Sequence, residues 1–195
     1  MSAEMKTTTV QALLGMLTLC PMSGYDLKQR IEGSIGNFWS ESYGQIYPTL
    51  KAMASDGLVT AMEEGKAGRT MYTLTDAGRD HLREWLSVAP RRRVPRHELL
   101  LKLFFGQLAP AETMRAYVEA ERKRFAADLA RYATLGQGID ANVHGPERFF
   151  YRITLDYGMR EARMIVEWCD ETLAVLDRMQ QAAGEQEQVE VTYGR

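Results

Sequence analysis

Apolar residues recur along this chain at helical intervals nearly throughout, and the breaks between the stripes divide it into two parts. From about Thr8, the positions Val10, Leu13, Leu14 and Leu17 form one amphipathic stripe that stops at Pro21, and residues 1 to 6 are expected to be disordered. Ser23 stands at the N-cap of a second short helix, Gly24 to Ile31, with Asp26 as its capping-box partner, and Gly33 and Gly36 end it. Phe38 and Trp39 are expected to plug the core from the loop that follows. Ile46, Leu50 and Met53, at i, i+4 and i+7, bury one face of a third helix and leave Gln45, Pro48, Lys51 and Ser55 on the other. Pro48 removes one helix hydrogen bond and crowds the carbonyl four residues earlier, so a bend or a late start is expected.

Gly57 follows the last periodic residue, where a chain leaves a helix through a left-handed conformation, and Val59 opens an extended segment. Residues 64–68, Glu-Gly-Lys-Ala-Gly, form a glycine-bounded turn, and alternation resumes through Tyr72 and Leu74. Thr75 caps a fourth helix, with Gly78, Leu82, Trp85 and Leu86 on one side and Pro90 at its close. Helix, turn, strand, tip and strand make the plan of a winged helix.

Beyond the basic run at residues 91–96, Arg-Arg-Arg-Val-Pro-Arg, every pattern is helical. Leu99, Leu100, Leu103 and Phe104 mark a short helix. After Pro110, a stripe of Met114, Val118, Phe125, Leu129 and Tyr132 runs to about Ala133, where Gly136 and Gly138 are expected to break it. From Pro146 a last helix carries Phe150, Ile153, Tyr157, Ile165, Trp168, Cys169, Leu173, Leu176 and Met179, roughly 50 Å at 1.5 Å per residue. A stripe of that length needs a partner. A second copy, held through Phe150, Ile153, Tyr157, Ile165, Trp168, Leu173 and Leu176, is one solution, and a self-contained bundle is the other. The expected fold is mainly α: a winged helix-turn-helix with a two-stranded β-wing over residues 1–90, a basic linker over 91–96, an all-helical dimerisation domain over 97–182 and a polar tail over 183–195.

The 195 residues are 45% apolar, enough for a buried core. Residues 1 to 95 carry 11 Lys/Arg against 10 Asp/Glu and the remainder 13 against 16, a balance that neither requires nor excludes nucleic acid. His81, His97 and His144 are scattered, and Cys20 and Cys169 belong to no ligand spacing. No glycine-rich phosphate loop occurs, so neither catalysis nor a metal nor a cofactor is expected. Cys169, on an apolar helix side beside Trp168, reads as a buried structural thiol. The N-terminus lacks the layout of a secretory signal, and no apolar run reaches the 18 or so residues that span a bilayer, so a reducing cytoplasm and no membrane are expected.

Four pieces carry a family resemblance: Leu-Cys-Pro-Met-Ser-Gly-Tyr-Asp-Leu at residues 19–27, Ile-Tyr-Pro-Thr-Leu-Lys at 46–51, Gly-Leu-Val at 57–59 and Tyr-Thr-Leu-Thr-Asp-Ala-Gly-Arg at 72–79. In that order and spacing they resemble the PadR family of bacterial transcriptional regulators. The resemblance implies a repressor that binds double-stranded operator DNA, dimerises through its C-terminal helices and commonly regulates its own gene. It also implies release by a small aromatic effector, for which a pocket near Trp85, Phe104 or Trp168 is the expectation.

In a helix-turn-helix the second helix enters the major groove while flanking groups hold phosphates. Gln45 can pair with an adenine edge, Lys51 with phosphate or guanine, and the hydroxyls of Ser42, Tyr43, Tyr47 and Thr49 with phosphate. Ser23 and Tyr25, at the head of the preceding helix, belong to the same expected set, as do Lys66 and Arg69 in the wing. The resemblance adds weight to Tyr47 and Lys51. It also marks a departure, because the family's usual basic residue after Lys51 is here Ala52. Ala52 and the near-neutral charge motivate the alternative, a dimeric protein-interaction module with no DNA role.

Overall fold

The computed structural model describes residues 3–36, 38–64, 69–90 and 95–193, with side chains described over 8–36, 38–63, 69–90 and 95–182. It falls into two compact units, Met1–Arg93 and Val94–Arg195.

The first unit contains α1 (Ala3–Leu17), β1 (Met22–Ser23), α2 (Gly24–Ser34), α3 (Tyr43–Ser55), β2 (Val59–Glu64), β3 (Arg69–Leu74) and α4 (Asp76–Ser87). Helix α1 begins within the residues expected to be disordered. The core is built from the stripes that periodicity marks: Leu13, Leu14 and Leu17 of α1, Leu27 and Ile31 of α2, Ile46, Leu50 and Met53 of α3, closed by Val59, Tyr72 and Leu74 of the sheet. Burying these side chains is the main force that holds short helices together, since none is long enough to be stable alone. Trp39 packs against this core, but Phe38 does not plug it and is half exposed.

Helix α3 neither starts late nor breaks at Pro48. The proline costs one bond, to the carbonyl of Gly44, and the buried face of Ile46, Leu50 and Met53 offsets that loss. At its C-terminus Gly57 takes φ 71°, Leu58 N–H reaches Met53 O at 2.9 Å and Gly57 N–H reaches Ala54 O at 3.2 Å, a Schellman ending. Thr75 then closes the turn. Its Oγ accepts from Gly78 N–H at 3.1 Å to cap α4 and donates to the carbonyls of Gly57 and Leu58 at 2.8 and 2.9 Å.

The wing hairpin pairs β2 with β3 in antiparallel register from Val59↔Leu74 to Glu64↔Arg69. The expected two-stranded wing is in fact part of a three-stranded sheet, because β1 adds to the free edge of β3 through Met22↔Tyr72 and Ser23↔Met71. That pairing ties the start of α2 to the base of the wing.

The second unit contains α5 (Glu98–Phe104), a 3-10 turn (Gly106–Leu108), α6 (Ala111–Asn142) and α7 (Glu147–Tyr193). Helix α6 does not break at Gly136 or Gly138. Gly136 is buried where α7 passes close, and a Cβ there would meet Arg152 Nη1 at 2.7 Å and Leu155 Cδ2 at 3.4 Å, so packing offsets the poor helix propensity of glycine. Helix α7 is 47 residues long, about 70 Å, and the backbone of residues 183–193 continues it instead of forming the expected disordered tail. Tyr132, Leu155 and Ala162 form the core between the two helices. Glu112 with Gln180, Arg115 with Asp177, Arg122 with Asp170 and Asp140 with Arg152 form a polar ladder along them. Each step forward on α6 is matched by an equal step back on α7, as in a straight antiparallel pair. Cys169 is fully buried on α7, and burial pushes its thiol up.

Candidate nucleic-acid interface

Because Ile46, Leu50 and Met53 hold one side of α3 in the core, the residues half a turn away are obliged to face solvent. Tyr43, Tyr47 and Lys51, at i, i+4 and i+8, form that exposed stripe. Tyr25 of α2 joins it: its ring stacks on Tyr43 with centroids 6.4 Å apart and planes at 10°, and Tyr43 stacks on Tyr47 at 6.1 Å and 23°. Three phenol hydroxyls and one ammonium group therefore lie along a single exposed line, each able to donate to a phosphate oxygen. Gly24 makes room for it, since a Cβ there would meet Tyr47 Cε1 at 2.6 Å. Behind the stripe Tyr72 is buried, and burial, with Tyr47 as a neighbour, holds its hydroxyl above the ordinary tyrosine range.

Other expected DNA-facing residues are engaged elsewhere. Ser23 is buried as the N-cap of α2: its N–H and Oγ–H donate to Asp26 Oδ2 at 3.0 and 2.8 Å, and its Oγ accepts from Asp26 N–H. It is not available to DNA. Gln45 is half-buried, and its Oε1 accepts from Ser42 N–H at 3.0 Å and Ser42 Oγ–H at 2.8 Å, so the pair caps α3 and only the Gln45 amide nitrogen remains to read a base edge. Ser42 itself is exposed and Thr49 half-buried. Lys66 lies outside the described residues. Arg69 is at the foot of β3 and forms an ion pair with both carboxylate oxygens of Asp26. The Ser23 N–H hydrogen bond, joined by Ser23 Oγ and Arg69, holds the Asp26 carboxyl below its usual range.

The residues expected to meet a second copy divide in two. Phe150, Ile153 and Tyr157 are exposed on α7, and Met164 extends their stripe, whereas Ile165, Trp168, Leu173 and Leu176 are half-buried. Of the residues expected around an effector, Trp85 lines an apolar cavity of the first unit with Phe38 and Trp39. Phe104 belongs to the second unit, where it is exposed and meets Phe105 edge-on at 5.0 Å, and Trp168 is on α7. Among the described residues no group of His, Cys, Asp and Glu could hold a metal ion, and no helix is long and apolar enough to cross a membrane.

Residues 13–84 match the Transcriptional regulator PadR-like family, and residues 95–177 match Virulence activator alpha C-term. The Negative transcriptional regulator PadR of Bacillus subtilis is 30% identical over 175 residues, covering 86% of this chain and 96% of the relative. The chain belongs to the PadR family. PadR proteins are transcriptional regulators, which places this one in a non-enzymatic class. Bacillus subtilis PadR solved in complex with operator DNA superposes with a TM-score of 0.74 at 26% identity, covering 90% of this chain and 99% of that one. The same protein in complex with p-coumaric acid gives 0.68 at 26% identity over 88% and 97%. The Vibrio cholerae virulence activator AphA gives 0.70 at 29% identity over 88% and 99%. The winged helix-turn-helix and helical C-terminal architecture is thus the PadR fold.

Proposed function

We propose that this PadR-family protein is a sequence-specific DNA-binding repressor, acting in the cytoplasm as a homodimer on operator DNA and released by a small aromatic effector. The observation that carries the reading is the exposed Tyr25, Tyr43, Tyr47 and Lys51 line on and beside α3, opposite the helix face locked in the core. In a fold whose Bacillus subtilis relative was solved on operator DNA, that line is the surface a major groove would meet. The exposed Phe150, Ile153 and Tyr157 of α7 supply a face for a second copy, which would present two reading helices to half-sites roughly 34 Å apart.

Lys51→Ala tests the reading, because Lys51 is exposed and lies outside the buried face of α3, so its loss should leave the fold intact. Affinity for DNA should fall, and the slope of log affinity against log salt should shrink by about 0.9, the loss of one neutralised phosphate. Unchanged affinity and slope would remove α3 as the reading helix. Salt-independent, negligible DNA binding by the parent protein would favour the interaction-module alternative, to which Ala52 lends itself.

A further inference from the structure

Among the described residues, the expected DNA-facing set holds two cations, Lys51 and Arg69. Lys51 is exposed on α3, whereas Arg69 is turned onto a carboxylate of its own chain. Its Nη2 donates to both Oδ1 and Oδ2 of Asp26, so the pair joins the start of β3 to the first turn of α2 across 43 residues of sequence. Both ends of this contact are fixed by the fold. Asp26 Oδ2 accepts from Ser23 N–H at 3.0 Å and from Ser23 Oγ–H at 2.8 Å, and Ser23 is buried and paired with Met71 of β3. Arg69 lies two residues before Met71, on the same face of that strand, so the sheet register brings guanidinium and carboxylate together.

Held in this way, Asp26 presents what a DNA phosphate would present. Anionic oxygens that take a backbone N–H, a hydroxyl and a guanidinium are met by the donors that proteins offer to phosphate. The pair also borders the surface that a duplex would meet, since Tyr25, next to Asp26, stacks on Tyr43 in the exposed line. An arginine neutralised by a carboxylate cannot also neutralise a phosphate, and affinity for DNA of any sequence depends on how many phosphates are neutralised. The Arg69 side chain is 52% exposed and that of Asp26 35%, so it is the charge of Asp26 that holds the arginine there, not burial.

We propose that Asp26 is an internal substitute for phosphate, which holds Arg69 off the DNA backbone and so lowers the affinity of this protein for duplex of any sequence. The proposal rests on the DNA-binding reading and deepens it. Asp26 is a positioning residue, because it acts through Arg69. One arginine matters on a face with so few cations, where Ala52 stands in place of the family's usual basic residue. The same carboxylate could also weaken binding by direct repulsion of DNA, and the two routes differ in whether they need Arg69.

The test is a salt series of binding to a labelled duplex of scrambled sequence, using the full-length parent, Asp26→Asn, Arg69→Ala and the double variant, each shown to be folded by circular dichroism. Asparagine keeps the shape of the side chain and an oxygen for Ser23 N–H, but not the charge that holds Arg69. Asp26→Asn should bind more tightly than the parent, and its slope of log affinity against log salt should steepen by about 0.9. Its advantage should therefore grow about three- to fourfold as salt falls from about 0.2 to about 0.05 M. Between Arg69→Ala and the double variant, the same Asp26 change should leave the slope as it is, since no guanidinium remains to be released. A structural role for Asp26 alone predicts the opposite sign, because a loosened α2 start weakens binding. An unchanged or shallower slope in folded Asp26→Asn would overturn the proposal, and so would equal steepening with and without Arg69, the signature of direct repulsion. Either result would leave the DNA-binding reading intact, whereas a parent protein that binds no duplex at any salt would defeat that reading and the proposal together.

Discussion

At Gly78 the backbone of α4 passes so close to the Gly57–Leu58 turn that a Cβ would collide with the Leu58 carbonyl oxygen and approach Leu74 Cδ1. The obstacle is backbone, which cannot swing aside as a side-chain end does. Gly78→Ala should therefore cost about 1–3 kcal/mol, against the usual gain for alanine in a helix. Denaturant unfolding monitored by circular dichroism checks this, and an unchanged or raised midpoint would show that α4 has slack against the turn. Gly24 is a different case, because what a Cβ there meets is the ring of Tyr47, an exposed side chain able to move. Residues of one type thus hold different structural posts: Gly57 supplies a left-handed φ, Gly78 a close approach, Gly24 room for a stack and Gly15 an open space.

At the scale of the element, local chemistry explains what was legible. Helix α3 and its ending were readable because i, i+4, i+7 burial and a left-handed glycine act within a dozen residues, and the Ser23–Asp26 and Thr75 caps are equally local. Strand β1 was not, since a two-residue strand has no pattern of its own and forms only by adding to β3. Nor was the passage of α6 through Gly136, which depends on α7 packing against it. In the candidate site, the exposed stripe of α3 followed from its buried one. The stacking of Tyr25 on Tyr43 and the Asp26–Arg69 pair, 43 residues apart in sequence, required the fold. Gln45 was ambiguous by nature, because glutamine three residues after an N-cap serves a capping box as readily as a base edge.

The Asp26 carboxyl, held by the Ser23 N–H and, with it, by Ser23 Oγ and Arg69, also predicts a pH dependence. A carboxyl held below its usual range stabilises the fold above about pH 4, and that stability is lost as pH falls through the lowered folded value. Asp26→Asn should lower the thermal midpoint at pH 7, by the equivalent of about 1 kcal/mol or less because the pair is partly exposed to solvent. The gap to the parent should narrow steadily as pH is lowered from 7 to about 3. A gap of equal size at both pH values would contradict the assignment of that stability to the charge.

For the whole molecule, α7 offers an exposed line of Phe150, Ile153, Tyr157 and Met164 on a helix about 70 Å long. A second copy accounts for so much exposed apolar surface better than solvent does. Ile153→Glu places a charge in the middle of that line without touching the core between α6 and α7, so sedimentation should show a shift from dimer toward monomer while helical content is kept. A parent protein that sediments as a monomer would refute the dimer directly. DNA affinity should fall with dimerisation, since each half-site would then be bound alone. The most direct test of the central claim is a titration of the purified parent protein against the DNA upstream of its own gene, with a scrambled fragment of equal length as competitor. A repressor of this family is expected to bind that fragment tightly and to resist the scrambled competitor, with affinity falling steeply as salt rises. Equal competition by the scrambled fragment at every salt concentration would contradict sequence-specific recognition.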